Sequence, residues 1–214
     1  MTLNLDYPFS IIITGMPGAG KTGFIKYIFL SNHPTYKEDP FKYGIVFTNT
    51  KFDNEYDYCP QKYVHAAYNE DILRNFIELQ KENSHHKTFI VFDDCLDKKA
   101  FQSKLFTELV TQYRHLNINL IITAQYLKLV TPAMKECCRY AILLKSSTED
   151  SIKSNYESFG FGFSDRKKFE EYIRENCVNY GAILVDRRAK QDEPLYQVKR
   201  APDPKTLPKF TYKF

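Results

Sequence analysis

The sequence predicts an α/β fold: a mainly parallel central sheet flanked by helices, extended at the carboxyl end by a helix and a β-hairpin. Three observations predict it. Short apolar runs rich in Ile, Val and Phe alternate with segments whose apolar residues recur at helical steps, the pattern of strands covered on both faces. One strand-to-helix junction is a glycine-rich loop ending in Gly20-Lys21-Thr22. Beyond about residue 150 the alternation gives way to one charged amphipathic helix and two strand-like runs.

In chain order, Ser10–Thr14 is apolar and β-branched and runs into glycine, which reads as a buried strand. Lys21 to about Ser31 carries Phe24 and Ile28 on one side and is expected to stop before His33-Pro34. Tyr43–Thr48 is a second apolar run. Asp71 to about Glu82 places Ile72, Phe76 and Leu79 at helical steps, with Asn69 as its cap. Thr88–Phe92 is the next strand and leads straight into Asp93-Asp94. A helix over about Lys98–His115 aligns Phe101, Leu105, Leu109 and Tyr113. Ile118–Thr123 is a fourth strand, and Arg139–Leu144 a fifth after a short helical link from Pro132. Asp165–Asn176 is the charged helix. Gly181–Asp186 and Leu195–Arg200 form the hairpin, joined by the polar stretch Arg187–Pro194. The tail from Ala201, with Pro202, Pro204 and Pro208, reads as irregular.

The 214 residues make one domain, a core over 9–150 and an extension over 151–214. Thirty Lys and Arg against 26 Asp and Glu leave +4, too little for a histone-like tail or a polybasic membrane anchor. That charge is unevenly held. Residues 151–214 carry 13 basic and 9 acidic side chains, whereas 1–150 carry 17 of each. The excess is either a solvated surface or a nucleic-acid face. The basic pair Lys98-Lys99 is a further candidate for such contact, while His85-His86-Lys87 reads as a solvated turn. Sixteen Tyr and 17 Phe argue against disorder. The five cysteines form no C-x-x-C pair, which suits free thiols in a reducing compartment. The opening stretch holds an acid and no basic run, unlike a signal peptide. The longest apolar runs, Ile11–Ile13 and Phe89–Phe92, fall far short of the ~20 residues a membrane span needs. A soluble intracellular protein, or one inside a particle assembled there, is expected.

Gly15-Met16-Pro17-Gly18-Ala19-Gly20-Lys21-Thr22 matches G-x-x-x-x-G-K-[ST] without departure, with an apolar strand before it and an amphipathic helix after it. Glycines let successive amides face a phosphate chain, and the helix start adds its positive end. Gly15, Pro17, Gly18, Ala19, Gly20, Lys21, Thr22 and Gly23 are therefore expected to cradle ATP. Lys21 would reach the β- and γ-phosphates and Thr22 would ligate Mg2+. In Phe89-Ile90-Val91-Phe92-Asp93-Asp94, an apolar strand delivers Asp93 beside that loop to hold Mg2+. Asp94 is placed one residue on, to accept a proton from attacking water. The two acids together favour hydrolysis over simple binding.

The stretch Arg114-His115-Leu116-Asn117-Ile118-Asn119-Leu120-Ile121-Ile122-Thr123-Ala124-Gln125 resembles the segment after the second acidic motif in the FtsK–HerA superfamily of DNA-translocating ATPases. There an arginine precedes the fourth strand and a glutamine ends it. Thr131-Pro132-Ala133-Met134-Lys135-Glu136-Cys137-Cys138-Arg139-Tyr140-Ala141-Ile142-Leu143-Leu144 is similar to that superfamily's following helix, arginine and strand. The paired acids and the Arg-His before the strand resemble most the poxvirus-type genome-packaging ATPases of large DNA viruses. The resemblance covers about residues 9–145, and the terminal strands more loosely. It implies a RecA-like P-loop core, with Gln125 as the sensor contacting the γ-phosphate or the attacking water. It also implies Arg114, or else Arg139, as an arginine finger acting on a neighbouring subunit. The plainer alternatives are a helix-end arginine at 114 and a structurally paired strand-start arginine at 139. Asp94 stands where many superfamily members have Glu.

The resemblance implies a homo-oligomeric ring that hydrolyses ATP and moves double-stranded DNA into a viral capsid, with capsid protein as a partner. The place would be the virion or the host-cell cytoplasm, with no membrane. A cellular or plasmid DNA-transfer ATPase would normally bring a membrane anchor or a DNA-reading module. A small-molecule kinase would bring an arginine-rich lid and no sensor glutamine. A nucleotide-binding scaffold would hydrolyse only incidentally.

Overall fold

In the computed structural model, which describes residues 3, 5–38, 41–50, 55–203 and 206–214 and only the backbone over 32–38, the apolar runs pair as strands. These are β1 (Ser10–Thr14), β2 (Tyr43–Thr48), β3 (Val64–His65), β4 (Thr88–Asp93), β5 (Ile118–Ala124), β6 (Tyr140–Leu143), β7 (Gly181–Asp186) and β8 (Tyr196–Arg200). They lie in one sheet in the order β3-β2-β4-β5-β1-β6-β7-β8. Strands β1 to β6 pair in parallel, so the carboxyl ends of β1, β4 and β5 share one edge. The helices are α1 (Lys21–Glu38), α2 (Glu70–Glu82), α3 (Lys98–Phe101), α4 (Lys104–Gln112), α5 (Pro132–Cys137), α6 (Glu149–Phe159) and α7 (Arg166–Asn176).

The near-continuous apolar composition of the strands is explained by two cores. On one face Ile12, Ile90, Phe92 and Ile122 pack with Leu73 and Ile77 of α2, Phe106 and Leu109 of α4, and Phe169 and Ile173 of α7. On the other face the alternate residues Ile11, Ile13, Phe89, Val91 and Ile121 pack with Phe24, Ile25, Ile28 and Phe29 of α1. Side chains alternate along a strand, so burial on both sides demands apolar residues at every position.

Asn69 caps α2 as expected, its Oδ1 accepting from the amides of Asp71 (2.9 Å) and Ile72 (3.1 Å). Three expectations are corrected. The helix foreseen over Lys98–His115 is two helices, because Ser103 adopts an extended backbone and its Oγ caps α4 at Phe106 N. The predicted face nevertheless holds: Phe101, Leu105, Leu109 and Tyr113 are all buried. Helix α1 continues past His33-Pro34 to Glu38, so the proline, which removes one amide donor and crowds the preceding turn, does not end it. The short strand β3 and helix α6 are additions; the charged, broken apolar pattern of Glu149–Phe159 hid a helix that Thr148 caps. The hairpin of β7 and β8 forms as expected, and β7 also pairs antiparallel with β6, so the extension continues the core sheet. Pro204 lies outside the described residues.

Candidate active site

Helix α1 cannot start until the chain has turned sharply at the end of β1. Two left-handed residues make that turn, Gly18 (φ 75°) and Gly20 (φ 93°), a conformation that side chains resist. Ala19 N donates to Met16 O (3.1 Å), and Phe24 N to Gly20 O (2.9 Å) opens the helix. Pro17 and Gly18 stand exposed at the loop's crest, while Gly15 and Lys21 are buried at its base. The Lys21 ammonium donates to Gly15 O (3.2 Å) and Met16 O (3.4 Å) and lies 3.1 Å from Asp94 Oδ2.

Parallel pairing brings the two acids to this loop. Asp93, 2% exposed, ends β4. Its Oδ2 accepts from Thr22 Oγ1 (2.7 Å) and from the Tyr56 phenol (2.7 Å), and its Oδ1 accepts from Thr123 Oγ1 (2.7 Å). Asp94 follows in the left-handed region (φ 48°), which aspartate tolerates better than most residues. Its carboxylate meets Lys21 and Gln125. Gln125 Nε2 donates to Asp94 Oδ2 (3.2 Å), and Asn49 Nδ2 donates to Asp94 O (3.0 Å). Thr123 serves both acids: its hydroxyl accepts from Asp94 N (2.8 Å) and has Asp94 Oδ1 within 3.1 Å. Burial and the neighbouring Asp93 carboxylate push the Tyr56 phenol far up, so it stays a donor at neutral and mildly alkaline pH.

Lys21, Thr22, Asp93, Asp94 and Gln125 thus come together. The two arginines lie elsewhere. Both precede the amino ends of their strands, the sheet edge opposite the loop, about 17 Å away at five strand residues. Arg139 is held in a structural pair, with Nε donating to Asp186 Oδ1 (3.1 Å), Nη2 to Asp186 Oδ2 (2.9 Å) and Nη1 to Asp6 Oδ2 (2.5 Å). Arg114 is exposed, its Nε bonded to the Tyr113 hydroxyl (3.0 Å), beside a shallow depression shared with His115 and Arg188. Thr123, Tyr56 and Asn49 were not foreseen. Thr123 was legible as a hydroxyl two residues before Gln125 at the end of an apolar run; Tyr56, 37 residues from Asp93, carried no signal.

Among the described residues no cluster of three or more His, Cys, Asp or Glu is set to hold a metal. The Thr22 hydroxyl and Asp93 carboxylate, 2.7 Å apart, nevertheless fit Mg2+, which takes hard oxygens and is commonly bound by one or two protein groups plus phosphates and water.

Residues 2–157 match the family model described as Poxvirus A32 protein. Protein 075L of Invertebrate iridescent virus 6 is 25% identical over 195 residues, covering 87% of this chain and 74% of that one. Protein L437 of Acanthamoeba polyphaga mimivirus is 24% identical over 201 residues, covering 86% and 69%. The genome packaging NTPase B204 of Sulfolobus turreted icosahedral virus 2, solved with AMP, superposes with a TM-score of 0.66 at 14% identity over 92% of this chain and all of that one. ATPases 2 and 3 of EssC from Geobacillus thermodenitrificans reach 0.63 at 15% identity, covering 92% and 40%. At such identities the two structures establish a shared fold.

Proposed function

Because the chain belongs to the Poxvirus A32 protein family, we propose that it is an ATPase that packages double-stranded DNA into a viral capsid. The observation that carries this reading is the convergence of Lys21, Thr22, Asp93, Asp94 and Gln125 at the carboxyl ends of β1, β4 and β5. The amides of Gly18, Gly20, Lys21 and Thr22 and the Lys21 ammonium bind the phosphates. Asp94 accepts the proton of the attacking water, and Gln125, already hydrogen-bonded to Asp94, orients that water. Mg2+ on Thr22 and Asp93 supplies charge neutralisation of the phosphates. Burial of Lys21 and Asp93 keeps these charges in a low-dielectric site, where each acts more strongly than in water.

A site with no arginine among the described residues around it suits a homo-oligomeric ring in which Arg114 of one subunit completes its neighbour's site. We assign Arg139 to holding the sheet edge. That B204 is a genome packaging NTPase supports DNA and capsid as partners, and the virion or the host cytoplasm as the place of action. The test is ATP turnover measured across protein concentrations with and without duplex DNA. Both are expected to raise turnover per subunit. A rate that neither changes would refute the motor.

A further inference from the structure

The phosphate loop lies on β1, and the acids and sensor lie on β4 and β5, to one side of it. A triphosphate whose γ end faces Asp94 therefore carries its nucleoside toward β1's other neighbours, β6 and β7. There Met16 N donates to Lys145 O (2.9 Å), tying the loop to the end of β6. A Cβ placed on Gly20 would sit 3.9 Å from Tyr180 Cδ1, so the tyrosine ring lies beside the loop. Asn179 (φ 50°) and Tyr180 (φ 61°) are both left-handed, a strained pair of the kind that accumulates where side-chain placement serves a ligand. The turn is pinned by Gly181 N to Val178 O (2.8 Å) and Ala201 N to Tyr180 O (3.1 Å). Yet Tyr180 remains 48% exposed and Val178 42%. A cleft of ≈ 160 Å³ opens alongside, lined by Lys145, Ser146, Arg174 and Val178 among others. Arg174 is already paired with Glu170 (2.6 Å) and Glu149 (3.8 Å).

We propose that Tyr180 is the stacking surface for the nucleobase of the bound nucleoside triphosphate, with the Lys145–Val178 cleft taking the remainder of the nucleoside. The inference rests on the ATP site assigned above and extends it into a part of the chain beyond residue 157, where the family match ends. Stacking reads the π face rather than a pattern of donors and acceptors, so the site is suited to adenine and guanine alike.

Binding of ATP and of inorganic tripolyphosphate, which has the phosphates and no base, is measured on the full chain with Mg2+. Tyr180→Asn removes the ring while keeping a residue type that tolerates positive φ. It is expected to weaken ATP about 10- to 100-fold and tripolyphosphate less than about 2-fold, with Tyr180→Phe restoring most of the loss. Unchanged ATP binding in Tyr180→Asn, or an equal loss of both ligands, would overturn the proposal. Lys21→Ala separates this from the underlying site: it is expected to weaken both ligands. If it weakens neither, the phosphate-loop reading itself fails.

Discussion

The Thr123 hydroxyl sets the relative orientation of two carboxylates, bonding to Asp93 Oδ1 and holding Asp94 through its amide. Thr123→Val keeps the shape and removes both bonds. Unfolding free energy should fall by about 1–3 kcal/mol, because the Asp94 amide loses its acceptor. ATP turnover should fall about 10- to 100-fold, the scale on which a small misplacement of reacting groups acts. Urea titration and steady-state kinetics read the two effects separately. For Asp94→Ala, turnover should drop by about 100-fold or more while ATP still binds; a wild-type rate would remove Asp94 from the chemistry. The phosphate loop was legible because its residues are contiguous and each type has one job there. Tyr56 was not, since only folding carries it to Asp93.

Two arginines that look alike in sequence differ at the level of the element each belongs to. Arg139 immediately precedes β6 and pairs with Asp186 at the end of β7, with side chains 18% and 11% exposed. Arg139→Leu leaves Asp186 without its partner and should destabilise the fold by about 3 kcal/mol, read by chemical denaturation, while folded protein retains its turnover. Its second partner, Asp6, is 75% exposed and contributes little. Arg114 packs over Tyr113 at the surface, so Arg114→Ala should shift stability by less than about 0.5 kcal/mol yet depress ATPase activity. Mixing it with Lys21→Ala subunits should recover part of the activity, and no recovery at any ratio would count against action in trans. Helical spacing showed the face shared by α3 and α4 but not the break at Ser103. Periodicity records which side of a segment is apolar, and a capping hydroxyl adds too little to that pattern to be read from it.

For the whole molecule, the extension that carries the +4 excess, read as a solvated surface or a nucleic-acid face, also completes the core sheet through its backbone. Phe159, Phe169, Ile173, Ile183 and Val185 share the core that holds Phe92 and Ile122. A chain ending at residue 150 would expose that core and leave β6 as an open edge, so it should be insoluble or unfold without cooperativity, which solubility and thermal melts would reveal. The parallel α/β class, the phosphate-loop motif and the paired acids were determined by sequence alone, each written in consecutive residues whose chemistry admits few other arrangements. A sensor role for Gln125 is what the family resemblance implies and is part of the proposed function. Only the tertiary structure decided that Thr123 and Tyr56 fix the acids, that Arg139 is paired within the fold, and that Tyr180 stands beside Gly20. These are meetings of residues tens of positions apart, and strand order, which no local pattern encodes, determines who meets whom.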